Sequence, residues 1–180
     1  MNYKIKKSET MFRGKVIDLI VDEIEYDSGN KGIREVAIHP GGAVIIAIKE
    51  NGRIIMVRQF RYPLQKVILE LPAGKLDKNE DPMVCARREL EEETGYKPNN
   101  MIKLGFIYTT PGFCTETLHI FAAKDLIAGN HNREEGEYGM QVLDYSLDEI
   151  DAMIKSGELH DSKSISAIQM YKLSLNENLR

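Results

Sequence analysis

Residues 74–96, GKLDKNEDPMVCARRELEEETGY, decide the fold, because here the chain changes period. Asp81 can cap a helix, Pro82 suits its first turn, and Met83, Ala86 and Leu90 recur at spacings of three and four before Gly95 stops it. The spacing predicts a helix of three to four turns. Upstream, KVIDLIVDEIEY alternates apolar and polar residues, 27–30 (DSGN) supply a turn, and GIREVAIHP resumes an extended pattern, which together predict a hairpin. AVIIAIKE (43–50) is almost continuously apolar, Asn51-Gly52 is a hairpin turn, and RIIMVRQF returns, so these two strands are expected to be covered on both faces. Downstream, MIKLGFIYTT, TLHIFAAKDL and GMQVLDYS are extended, and SLDEIDAMIKSG and SISAIQMYKLSL carry amphipathic helical stripes. Strands, one acidic helix, more strands and terminal helices imply an α/β or α+β sandwich rather than a doubly wound sheet.

Within the acidic helix Glu89, Glu92 and Glu93 lie three and four residues apart, so at ~100° per residue they share one face. Like charges at that spacing cost roughly 0.2–0.5 kcal/mol per pair, and the macrodipole opposes negative charge near a helix C-terminus. A glutamate run is usually only a solvated face, and Arg87 and Arg88 could offset this one. A divalent cation would also remove the conflict, since hard cations take carboxylate oxygens. Spacing outside the helix tips the balance toward the cation.

The segment fits G-x5-E-x7-R-E-U-x-E-E-x-G-U, with U apolar, at Gly74, Glu80, Arg88, Glu89, Leu90, Glu92, Glu93, Gly95 and Tyr96, Tyr96 being the loosest fit. In this it resembles the Nudix hydrolases. The resemblance implies an α/β/α sandwich of mixed sheet with an N-terminal β-hairpin region, and hydrolysis of a nucleoside diphosphate derivative with Mg²⁺, or Mn²⁺ in its place. It implies that Glu89, Glu93 and the carbonyl of Ala73 coordinate metal, that Glu92 ligates or supports it, and that Arg88 orients Glu80 and the helix glutamates by ion pairing.

IREVAIHPGGAV, VRQFRYPLQKVILELPAGKL and YTTPGF further resemble the ADP-ribose pyrophosphatase branch. That likeness implies ADP-ribose, or a related ADP-sugar, as small-molecule substrate, with AMP and ribose 5-phosphate as products. It implies that Arg34 and Arg61 hold the diphosphate, a task suited to the planar guanidinium, and that Pro111 and Glu116 belong to a substrate loop. The branch often has Ser-Asp-Glu after the P-G-aromatic, where this chain has Cys114-Thr115-Glu116. In the polar loop NREEGEY the best match to the branch's Glu-x-Glu makes Glu135 the general base and Glu137 a metal ligand, with Glu134 and Glu137 the alternatives for the base. Arg58 is the weaker arginine, and Glu70 either meets substrate or pairs with an arginine. Other nucleoside diphosphate derivatives, or a non-catalytic Nudix ligand sensor, are the competing functions.

A formal charge of −4 argues against a nucleic-acid partner, which calls for a basic face. No stretch approaches the ~20 apolar residues of a membrane span, the start lacks a signal-peptide core, and Cys85 and Cys114 are too few for a disulfide framework. These features lead to the expectation of a cytoplasmic protein with reduced thiols. Residues 1–41 are expected to be an N-terminal β-region for dimerisation and substrate binding, and 42–180 the Nudix hydrolase domain. The apolar face Val16, Ile17, Leu19, Val21 and Ile24 needs a partner surface, and the resemblance implies a homodimer.

Overall fold

The computed structural model describes residues 2–133 and 139–177, the side chains of 176 and 177 excepted. The chain forms two compact units, residues 1–41 with 108–117, and residues 42–107 with 118–180. In chain order its elements are β1 (Tyr3–Arg13), β2 (Asp18–Tyr26), β3 (Lys31–Ile38), β4 (Gly42–Ile48), β5 (Ile54–Arg61), β6 (Lys66–Glu70), β7 (Ala73–Lys75), α1 (Pro82–Thr94), β8 (Tyr96–Tyr108), β9 (Thr117–Ala128), β10 (Gln141–Tyr145), α2 (Leu147–Ser156) and α3 (Ser162–Glu177).

The larger unit is built on a mixed sheet ordered β10-β5-β4-β9-β8, in which β4 and β9 run parallel. The apolar run of β4 is buried at every position, as expected for a strand covered on both faces. Its alternate side chains go to two separate cores. Val44, Ile46 and Ile48 pack with Ile150 and Met153 of α2 and Ile168 and Tyr171 of α3. Ala43, Ile45 and Ala47 pack with Cys85, Ala86 and Leu90 of α1. The small alanines on the second face let α1 lie close to the sheet.

The sheet forks between β4 and β5. The two pair only at Ala47↔Ile55 and Ile48↔Ile54, beside the Asn51-Gly52 turn. Beyond that β5 takes β6 as its neighbour, and β4 takes β7. Glu70-Leu71-Pro72-Ala73 crosses the opening, where Ile45 N–H donates to the Pro72 carbonyl at 2.9 Å. These two short strands are absent from the sequence expectation, and they set the position of the site.

The smaller unit holds the antiparallel sheet β1-β2-β3. The expected hairpin of β2 and β3 is extended by β1, which is exposed at all eleven positions. Ile24 is buried, whereas Val16 and Ile17 of the expected apolar face are exposed. Among the described residues no helix is long and apolar enough to cross a membrane.

Candidate active site

Helix α1 begins and ends on the signals read in the sequence. The Asp81 carboxylate accepts from the N–H groups of Met83 and Val84, and Gly95 closes the helix in the left-handed region at φ 79°. Leu90 and Ala86 anchor it in the core, which fixes its rotation and turns Glu89 and Glu93 toward β7.

The approach of helix to strand is close. A Cβ on Gly74 would lie 1.8 Å from Glu89 Cδ, so the glutamate carboxyl occupies the space that any other residue would fill. Glu93, only 2% exposed, accepts from the Ala73 N–H at 3.2 Å through Oε2. Two carboxylates are thus seated on consecutive residues of one short strand.

Arg88 is the organising cation. It makes a paired contact with Glu80, Nε to Oε1 and Nη2 to Oε2, both at 3.0 Å. Its Nη1 also donates to Glu89 Oε1 at 2.7 Å and Glu92 Oε2 at 3.0 Å. The Glu80 bond and the neighbouring glutamates hold the Arg88 guanidinium firmly protonated, and Arg88 in turn holds the Glu80 carboxyl below its usual range. One cation among three carboxylates leaves an anionic surplus before Glu93 is counted.

The convergence of Glu89, Glu92 and Glu93 is therefore partial. They share a face as helical spacing dictates, but Glu89 and Glu92 meet through Arg88, while Glu93 reaches the Ala73 N–H. Among the described residues no three His, Cys, Asp or Glu side chains form a ready-made metal cluster. The donor set still fits a hard cation: carboxylate oxygens beside a strand at Ala73-Gly74, kept free of a Cβ by the glycine. Cys85 is a packing residue, its thiol pushed up to about 12 chiefly by burial.

Arg61 and Glu70 meet at the fork. Arg61 Nε and Nη2 donate to Glu70 Oε1 and Oε2 at 2.6 and 2.8 Å. Glu70 first, then Glu93 and Asp161, stabilise the guanidinium charge. Glu70, ambiguous in the sequence, is thus an arginine partner and is 1% exposed. Lys163 also donates to Glu70, a contact missing from the sequence reading.

Arg34 is in the smaller unit, donating to the Ile33 carbonyl at 2.7 Å and to the Tyr26 hydroxyl, its guanidinium 5.9 Å from the Tyr26 ring centre. Pro111 and Glu116 belong to the loop of that unit, which is tied to β3 by Ala37 N–H on the Phe113 carbonyl and Thr115 N–H on the Ala37 carbonyl. Glu116 lies 3.4 Å from His39 Nδ1, but that nitrogen already accepts the Gly41 N–H, so a neutral His39 has no proton there to give Glu116. Glu134, Glu135 and Glu137 lie outside the described residues. Before that segment, Asn132 N–H donates to the Glu92 carbonyl and Arg133 Nε to the Glu93 carbonyl. Arg133 Nη1 also reaches the Met140 carbonyl on the far side.

Comparison with known proteins agrees with this geometry. A family model described as the NUDIX domain matches residues 38–167. An ADP-ribose pyrophosphatase of Bacillus subtilis (strain 168) is 43% identical over 167 residues, 92% of this chain and 90% of that protein. A methanol dehydrogenase activator of Bacillus methanolicus is 42% identical over 172 residues, covering 94% and 92% of the two chains. In fold, the chain is similar to a crystal structure titled ADP compounds hydrolase, with a TM-score of 0.88 over 99% of this chain and 96% of that one at 19% identity. With the family model spanning well over half its length and the glutamates of α1 seated on the Gly74 strand, the chain belongs to the Nudix hydrolase family.

Proposed function

We propose that this chain hydrolyses the pyrophosphate of ADP-ribose to AMP and ribose 5-phosphate with Mg²⁺. The observation that carries the reading is the seating of Glu89 and Glu93 on Ala73-Gly74, with Arg88 tying Glu80, Glu89 and Glu92 together. The choice of ADP-ribose draws support from the Bacillus subtilis relative and from the branch segments of the sequence.

Glu89, Glu93 and the Ala73 carbonyl would hold the cation, with Glu92 ligating or supporting it. Bound there, Mg²⁺, or Mn²⁺ in its place, would neutralise the diphosphate and stabilise charge developing on phosphorus and the leaving oxygen. Arg88 orients Glu80, Glu89 and Glu92 through its hydrogen bonds and holds the Glu80 carboxyl below its usual range. Arg61 presents a guanidinium to the diphosphate while Glu70 fixes its plane. Glu135 is assigned the removal of a proton from the attacking water, and Glu137 a place beside the cation. Support for that assignment comes from the Glu-x-Glu match and from the bonds of Asn132 and Arg133 to the last turn of α1. Arg34, Pro111 and Glu116 are assigned to substrate, within a homodimer.

The test is product analysis with Mg²⁺ across ADP-ribose, other sugar nucleotides, a dinucleotide and a nucleoside triphosphate. Highest kcat/KM for ADP-ribose, releasing AMP and ribose 5-phosphate, is expected. A higher value for another sugar nucleotide or the dinucleotide would transfer the same chemistry to that substrate. Binding without turnover would make the chain a ligand sensor. Glu93→Gln should keep the fold by circular dichroism and lose at least the roughly 10–100-fold in activity that removing even a group supporting a metal ligand costs.

A further inference from the structure

We propose that Lys163 is a positioning residue for Arg61, acting through the buried carboxylate of Glu70. The inference rests on the reading above that Arg61 meets the diphosphate. Glu70 is almost completely buried, and a carboxylate there must be balanced by close positive charge. Two cations supply it. Arg61 takes both oxygens with Nε and Nη2, and Lys163 donates to Oε2 from the opposite element, α3.

Lys163 is itself held. Its Nζ bonds Asp161 Oδ2 at 2.9 Å and its side chain is 13% exposed. Asp161 Oδ2 also accepts from Ser164 N–H at 3.1 Å and Ser164 Oγ at 2.5 Å. Ser164 Oγ in turn accepts the Leu71 N–H at 2.7 Å, next to Glu70 in the chain. The start of α3 is thereby bonded to the crossing segment of the fork at two successive residues.

The charges explain what the lysine does. Arg61 and Lys163 carry two positive charges, and Glu70 and Asp161 carry two negative ones. With both cations in place Glu70 and Asp161 are balanced, Glu93 being the further carboxylate whose charge reaches Arg61, and Arg61 can present its outer edge without being the only counter-ion of a buried anion. Among the described residues its Nη1 makes no hydrogen bond, and its side chain is 39% exposed. Without Lys163, Arg61 alone must answer Glu70 and Asp161. Its guanidinium is then drawn toward them and away from any ligand anion.

The test is a double-mutant cycle on kcat and KM, with Lys163→Met made alone and in an Arg61→Ala background, and Lys163→Arg as the conservative variant. The substrate is ADP-ribose, or whichever panel compound the wild type cleaves best, so a wrong substrate assignment is seen in the wild type and does not touch the cycle. Lys163→Met is expected to raise KM about tenfold with kcat within about threefold. Lys163→Arg should recover most of that loss, and the Lys163 effect should disappear once Arg61 is alanine. A merely structural lysine would lower Tm equally in both backgrounds and lower kcat/KM by the same factor in each, which would overturn the proposal. Unchanged KM in a folded Lys163→Met enzyme would also overturn it. Should that variant fail to fold, Lys163→Gln carries the same cycle with the same two outcomes.

Discussion

Strands β4 and β1 stand at opposite extremes of this molecule. All seven residues of β4 are buried, with helices on both faces, whereas all eleven residues of β1 are exposed. The exposed set includes Tyr3, Ile5, Met11 and Phe12, each more than half accessible, on a strand at the edge of its sheet. Exposed apolar edges of that length are ordinarily covered or blunted. The larger unit thus completes its own core and seats its glutamates from within, while the smaller one leaves apolar surface and Arg34 facing outward. If Arg34 meets substrate as proposed, carboxylate chemistry and substrate reach are separable properties, and each can be broken alone.

The largest effect belongs to Gly74→Ala. The added methyl would stand 1.8 Å from the Glu89 carboxyl carbon, in space that the carboxylate must vacate. Displacing one carboxylate by an ångström or more is expected to lower kcat by about a hundredfold or more, because a misplacement of that size in a reacting constellation costs about that much. Near-normal kcat at saturating Mg²⁺ would show that Glu89 works from another position. No matching sensitivity is expected at the glycine of the other unit's turn, Gly29, where an added Cβ meets nothing within 4 Å and only the backbone conformation resists.

These contrasts also mark what could be read from the sequence. Helix α1 was legible because its signals are local: an Asp81 cap, Pro82 in the first turn and Gly95 at the stop all lie within the motif itself. The burial of β4 followed from an unbroken apolar run. Strands β6 and β7 were not legible, since LELPAGK gains its extended pairing only from the fork between β4 and β5. Strand β1 falls within the expected β-region of residues 1–41, but its bounds were not legible, because KIKKSETMFR mixes charges with apolar residues and has no buried face to impose a period. Glu70 and Lys163 are 93 residues apart, and no local pattern announces such a pair.

A second prediction concerns the exposed arginine. Arg34→Ala should raise KM by about tenfold, the value of one charge-assisted hydrogen bond to phosphate, with little change in Tm because its partners are its own preceding carbonyl and Tyr26. If the proposed homodimer carries Arg34 to the partner's substrate, mixing Arg34→Ala with Glu93→Gln chains under exchanging conditions should restore one good site per mixed dimer. With random pairing about half of the chains are in such dimers. Verified exchange without recovery would confine Arg34 to its own chain, and a monomer by light scattering would reject the dimer.

The smallest effect is a pH-dependent one, and it tests how the larger unit closes itself. Lys49 and Arg53 flank the Asn51-Gly52 turn, and both bond Asp144 of β10, Lys49 Nζ at 2.8 Å and Arg53 through Nε. Arg53 Nη2 also reaches the Asp144 carbonyl at 2.8 Å and Glu149 at 2.9 Å. Hydrogen bonds from Lys49 first, then Arg53, hold the Asp144 carboxyl below its ordinary value. A carboxyl whose folded value is depressed stabilises the fold above its unfolded value, near 3.9, and loses that stabilisation as pH falls through the folded value. Asp144 is partly exposed, so water screens the pair and the gain is small. Asp144→Asn should therefore lower Tm by about 2 °C at neutral pH. The gap between variant and wild type should stay level from about pH 8 to 5 and shrink below about pH 4. A gap that widens on acidification would mean that Asp144 is not held ionised by Lys49 and Arg53, and the stitching of β10 to the β4–β5 turn would have to rest on the backbone pairs and the Arg53 bond to the Asp144 carbonyl.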